Sequence, residues 1–97
     1  MPDIRIHRYS VDDPTDIDEF LARRAELIAA IRVSHPGLLE ARLIRLEDDT
    51  FVDTWRWQSA EEMQAALGAA PTLPEVRAAM SLTRNATSDD GEVVDER

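Results

Sequence analysis

The feature that most constrains this chain is an apolar stripe at helical spacing, set between two stretches that alternate with period two. Ile17, Phe20, Leu21, Leu27, Ile28 and Ile31 line one face of a helix about four turns long. Asp13 suits its N-cap, with Pro14 at the first helical position and Asp16 near the positive end of the dipole. The stripe stops at His35-Pro36-Gly37, because proline cannot continue a helix and glycine suits a left-handed exit. Before it, Ile4 to Val11 sets Ile4 and Ile6 against Arg5, His7 and Tyr9, as a strand with one buried face would. After it, Leu39, Ala41 and Leu43 alternate with Glu40, Arg42 and Ile44 in a second strand.

Glu47-Asp48-Asp49-Thr50 is short and polar, a hairpin connection without glycine. Phe51 to Trp57 then forms a third strand, with Phe51, Asp53, Trp55 and Trp57 on one face and Val52, Thr54 and Arg56 on the other. Ser59-Ala60-Glu61-Glu62 is a capping box, followed by the stripe Met63, Ala66, Leu67 and Ala70. Pro71 interrupts, and Thr72-Leu73-Pro74-Glu75 restarts a short helix that carries Val76 and Met80. Asp89-Asp90-Gly91 reads as a turn and Glu92 to Glu96 as a short last strand through Val93 and Val94. The order β-α-β-β-α-β predicts an α+β sandwich of the split β-α-β type, both helices on one face of an antiparallel sheet. The other face would present Arg5, His7, Tyr9, Arg42, Ile44, Val52, Thr54 and Arg56, a mixture better suited to an interface than to solvent.

Size sharpens that expectation. Residues 1–97 form a single domain, and a chain this short buries only about 60–65% of the surface its unfolded form exposes. There is no cysteine, which removes disulfides, thiolate catalysis and thiolate metal sites together. Two histidines, His7 and His35, are too few for a zinc site. Oligomerisation is the remaining reinforcement, so a homodimer through the open sheet face is expected. The net charge of −9 would repel nucleic acid and anionic membrane alike. The opening MPDIRIHRYS lacks the apolar core of a signal peptide, and no run approaches the ~18–20 apolar residues of a membrane span. A cytoplasmic protein is expected.

Pro36-Gly37 at the end of the first helix, and Trp57-Gln58-Ser59 closing the third strand and capping the second helix, resemble the antibiotic biosynthesis monooxygenase family. The likeness in element order covers nearly the whole chain. It implies a ferredoxin-like fold and a homodimer whose two sheets meet as an α+β barrel. It also implies oxidation of a small aromatic substrate (a phenol, quinol or anthrone) by dioxygen without metal or flavin. Trp57 matches the family's strand-end tryptophan, which lines the pocket between sheet and helices. In the haem-degrading branch a histidine stands on the second helix where this chain has Leu67, so the axial ligand is missing and no haem is implied. The first strand also lacks the family's asparagine, leaving His7 or Tyr9 to substitute.

The candidate catalytic residues are therefore His7, Trp57 and Asp53, with Trp55, Leu67, Met80 and Tyr9 as pocket residues. His7 is the one side chain whose ordinary pKa makes it a base near neutral pH. Tyr9 would donate to a substrate oxygen or bond across the dimer interface. Strand parity puts Trp57 toward the helices and His7 toward the dimer, so the two would not share a pocket. Asp53, beside Trp55 and raised in pKa by burial, would then be the alternative base. His35 would act as a cation at a helix C-terminus, and Arg42 and Arg56 would neutralise carboxylates across the dimer. The contrasting expectation is a non-catalytic dimeric module that binds a small apolar ligand.

Overall fold

The computed structural model describes residues 3–11 and 13–97; Met1 and Pro2, part of the opening segment read for a leader, lie outside the described residues. Four strands and three helices follow in the order β1 (Asp3–Val11), α1 (Ile17–Ser34), β2 (Leu38–Arg45), β3 (Phe51–Trp57), α2 (Ala60–Ala69), α3 (Pro74–Met80) and β4 (Thr83–Glu92). The strands form one antiparallel sheet in the order β2-β3-β1-β4, the ferredoxin-like arrangement.

Local signals explain most boundaries. The Asp13 carboxylate accepts the backbone N–H of Thr15 at 3.0 Å, opening a single turn of 3-10 helix (Pro14–Asp16) that leads into α1. The Ser59 hydroxyl accepts the Glu62 N–H at 3.2 Å, completing that half of the capping box for α2. In the β2–β3 turn Asp49 takes φ 66°, the left-handed conformation that glycine usually supplies, which is how a turn without glycine closes. Gly37 has no positive φ. The expected left-handed exit is wrong, and the reason for glycine is space: a Cβ there would run into the Glu62 carboxyl group. His35 is the C-cap of α1, its backbone N–H donating to the Ile31 carbonyl at 2.8 Å.

Two details of the strands differ from the alternation. An extra residue in β2 shifts the pairing between Leu38 and Glu40, so Leu38 is buried and Leu39 is exposed. The last strand is Thr83–Glu92, and Asp89-Asp90-Gly91 lies inside it rather than forming a turn. That stretch is exposed and has no apolar alternation. Long-range partners hold it: Gly91 lies opposite Ile4, Arg5 bridges to Asp90 at 2.8 Å and Arg8 to Asp89 at 2.9 Å. Near its start two residues, Asn85 and Ala86, oppose Tyr9 in a bulge, with Asn85 at φ 56°.

The core lies between the sheet and the helices. One cluster packs Leu27 and Ile31 of α1 on Trp55, Trp57, Met63 and Ala79; a second packs Phe20 on Tyr9 and Phe51. Leu21, expected in the α1 stripe, is 44% exposed. Its place toward the sheet is taken by Arg24, which falls in the series Phe20, Arg24, Leu27, Ile31.

Candidate active site

The register of β1 on β3 decides which side chains meet. Arg5 lies opposite Trp55, His7 opposite Asp53 and Tyr9 opposite Phe51, without a break from Asp3 to Tyr9. Directly opposed residues share a face, so Arg5, His7 and Tyr9 point to the same side as Trp55 and Trp57. That is the helix side, and it overturns the expectation that His7 and Tyr9 face a partner. The misreading came from treating Ile4 and Ile6 as the buried set. They lie on the open face, and the strand turns its polar residues inward because the interior there holds a polar-floored cavity.

The cavity measures about 110 Å³, comparable to the ~150 Å³ apolar voids that admit a benzene ring. Its floor is Arg5, His7, Tyr9, Asp53, Trp55 and Trp57 from the sheet. From α1 come Phe20, Arg24, Leu27 and Ile31, and α2 and α3 close it with Leu67, Val76, Ala79 and Met80. All seven residues singled out from the sequence line this one space. Arg24 and Arg5 were not among them. The signal for Arg24 was its helical phase with Phe20 and Leu27; nothing in the sequence marked Arg5 once β1 was read the wrong way round.

Polar groups on the floor fall into two sets. In the first, Asp53 is 4% exposed and accepts four hydrogen bonds. Oδ1 takes Arg24 Nη2–H at 2.7 Å and the Trp55 indole N–H at 2.8 Å; Oδ2 takes Arg24 Nε–H at 3.0 Å and the Tyr9 hydroxyl at 2.7 Å. Four donors fill the acceptor sites of a carboxylate, leaving none for a substrate proton, which counts against Asp53 as the base. Burial alone would lower the Arg24 pKa, but the hydrogen bonds and charge of Asp53 outweigh it and the guanidinium is held above its ordinary value. Burial, then the charge of Asp53, pushes the Tyr9 hydroxyl up, so it stays protonated.

The second set is uncommitted. The His7 ring meets Trp55 edge-on, centroids 6.3 Å apart and planes at 76°, and makes no hydrogen bond among the described residues. Burial and then the positive charge of Arg5 lower its pKa below 6.5, against the weaker pull of Asp53 and Asp90. A neutral imidazole at neutral pH follows. The indole N–H of Trp57 is buried and unpartnered, as is the Nε–H of Arg5, whose Nη groups hold Asp90 and Ser88 at 2.8 and 2.9 Å. A free base therefore borders an apolar space, and two of the residues that line it, Arg5 and Trp57, each carry a buried N–H without a partner. Leu67 offers no ligand to a haem iron, and among the described residues no group of three metal-binding side chains occurs.

No protein-family model matches the sequence, and no curated protein matches it. Solved structures do. SnoaB, a cofactor-independent oxygenase from Streptomyces nogalater, is similar at TM-score 0.78 and 21% identity, over 98% of this chain and 95% of that one. An antibiotic biosynthesis monooxygenase is similar at TM-score 0.71 and 18% identity, over 98% of this chain and 100% of the other. The fold is that of the antibiotic biosynthesis monooxygenases. A dimeric ferredoxin-like protein from an uncultured marine organism shares it at TM-score 0.72 and 12% identity, over 99% of this chain and 90% of that one. Identities this low carry the fold, so the chemistry rests on the cavity.

The open sheet face carries Ile4, Ile6 and Arg8 from β1, Val52, Thr54 and Arg56 from β3, and Glu40, Arg42 and Ile44 from β2. Arg42 and Arg56 pair within the chain with Glu40, at 2.9 and 3.5 Å. Among the described residues no helix is long and apolar enough to cross a membrane.

Proposed function

We propose that this protein is a cofactor-independent monooxygenase that oxidises a small aromatic substrate of the anthrone, quinol or phenol class with dioxygen. The observation that carries the reading is the meeting of a neutral, unpartnered imidazole with two indoles around one apolar cavity. Trp55 and Trp57 stack the substrate ring, and the walls exclude the water that would otherwise solvate and quiet its anion. His7 is the base; Asp53 anchors Trp55 and Tyr9 rather than moving protons.

For an anthrone-like methylene the steps balance without a reductant. His7 accepts a proton from the activated carbon or its enol, leaving an electron-rich anion. The anion gives one electron to dioxygen, and the radical and superoxide combine in a carbon–oxygen bond. The proton held by His7 completes a hydroperoxide. The remaining C–H proton and the outer hydroxyl then leave as water as the O–O bond breaks, and the C–H electron pair makes the carbon a carbonyl. All electrons taken up by dioxygen come from the substrate.

A homodimer through the open sheet face completes the proposal. Its apolar residues, Ile4, Ile6, Val52 and Ile44, are on the face the helices leave bare, and Ile44 is 41% exposed. The test of the activity is turnover of a panel of anthrones and quinols under air and under nitrogen, with and without Trp57→Phe. Oxygen-dependent turnover that weakens in Trp57→Phe is expected; tight binding with no turnover of any member would favour the non-catalytic module instead.

A further inference from the structure

We propose that Arg24 is a positioning residue for the His7 imidazole, acting through Asp53 and Trp55. The proposal rests on His7 being the base of the reaction above and adds what keeps that base available. The chain of contacts is short. The Arg24 guanidinium grips both oxygens of Asp53, at 2.7 and 3.0 Å. Asp53 holds the Trp55 indole N–H at 2.8 Å, and the Trp55 ring meets His7 edge-on. His7 in turn lies directly opposite Asp53 in the sheet. Arg24 is the only one of these groups that comes from a helix, so it ties the floor of the cavity to its wall.

Three charges act on His7, from Arg5, Asp53 and Asp90, and Arg24 reaches it only through Asp53. Arg5 is on its own strand, Asp53 is across on β3 and Asp90 is on β4, while Arg24 comes over from α1 onto Asp53. With Arg24 in place, Asp53 is neutralised and its acceptors are full. Without it, a buried carboxylate would face the imidazole with two acceptor sites vacant. It would then draw a proton onto His7 or take the ring as a hydrogen-bond donor. Either change removes the free base, and neither requires Arg24 to touch substrate.

The test uses the full-length protein without substrate. The His7 ring-proton resonances are followed against pH in wild type, Arg24→Gln, Arg24→Lys and Asp53→Asn, together with the two indole N–H resonances. In Arg24→Gln the His7 midpoint should move up and the Trp55 indole N–H should shift while that of Trp57 stays. Arg24→Lys, which keeps the charge, should titrate close to wild type. Asp53→Asn should move the midpoint down, the opposite direction, and it carries the test should Arg24→Gln fail to fold. In turnover, the acid limb of kcat/KM for Arg24→Gln should move up with the resonance midpoint and KM should change less than kcat. A His7 midpoint that is the same in all variants overturns the proposal, as does a fall in kcat with an unmoved acid limb. Those outcomes leave the oxygenase reading standing. Full turnover by His7→Gln would remove His7 as the base, whatever Arg24 does.

Discussion

His7 and Asp53 face each other directly across the β1–β3 pair, yet only His7 has an acceptor to spare. The carboxylate is the stronger feature in the sequence, a lone acid among aromatics, but its four donors commit it to structure. The imidazole, half-buried against Trp55, is left neutral and free.

A pH dependence follows. Because burial and Arg5 lower the His7 pKa, the acid limb of kcat/KM should fall at a pH below 6.5. His7→Gln should remove that limb and cost about a hundred- to ten-thousand-fold in kcat. The same shift has a stability sign. The folded protein binds the proton less readily than the unfolded chain, so this contribution is fully present above 6.5 and is lost as pH falls from 6.5 toward the folded value. Urea midpoints measured across that window should fall with pH in wild type and less so in His7→Gln.

The buried Arg24–Asp53 pair should behave asymmetrically in urea. Arg24→Met leaves an uncompensated buried carboxylate and should cost about 3–5 kcal/mol. Arg24→Met combined with Asp53→Asn removes both charges, keeps an amide oxygen to accept the Trp55 N–H and an amide N–H to donate to the Tyr9 hydroxyl, and should cost less than Arg24→Met alone. Equal losses would mean that the pair is not coupled as its 2.7 Å contact indicates.

Gly37 offers a test of packing between the α1 exit and α2. Gly37→Ala sets a methyl group into the space of the Glu62 carboxyl, and because that is the end of a flexible side chain which can swing aside, the loss should be small, on the order of 1 kcal/mol or less. Thermal unfolding should show most of that loss disappearing when Gly37→Ala is placed in a Glu62→Ala background. A loss unchanged by Glu62→Ala would trace the glycine to its backbone instead.

Assembly is tested by light scattering at micromolar concentration. The 10.9 kDa chain should run at twice its mass, and Ile6→Asp, which puts a charge on the open face, should give monomer. A wild-type monomer would remove the barrel from the account.

The fold was legible because its signals are local. Helical spacing from Ile17 to Ile31, the Ser59 box, and the alternation of Phe51 to Trp57 each specify an element from neighbours in sequence. The β4 strand was hidden because its polar segment is held in the sheet by pairing with β1 and by the Arg5 and Arg8 bridges, and those partners are distant in sequence. The site was half legible. Its residues were identifiable by type, but the parity of β1 could not be read from composition once both faces of that strand were mixed. One reversal of parity separates His7 from Trp57 or joins them. Arg24 was missed for a related reason: a cation in an apolar stripe reads as a surface residue until its buried carboxylate is found.

The most direct test of the central claim is the fate of dioxygen. Turnover of an anthrone or quinol under isotopically labelled dioxygen, by protein freed of flavin, haem and metal, is followed by mass spectrometry of the product. The account predicts one labelled oxygen atom in the product, at a rate that falls steeply in His7→Gln. Product without label, or product formed only after a flavin, haem or metal is added, would contradict it.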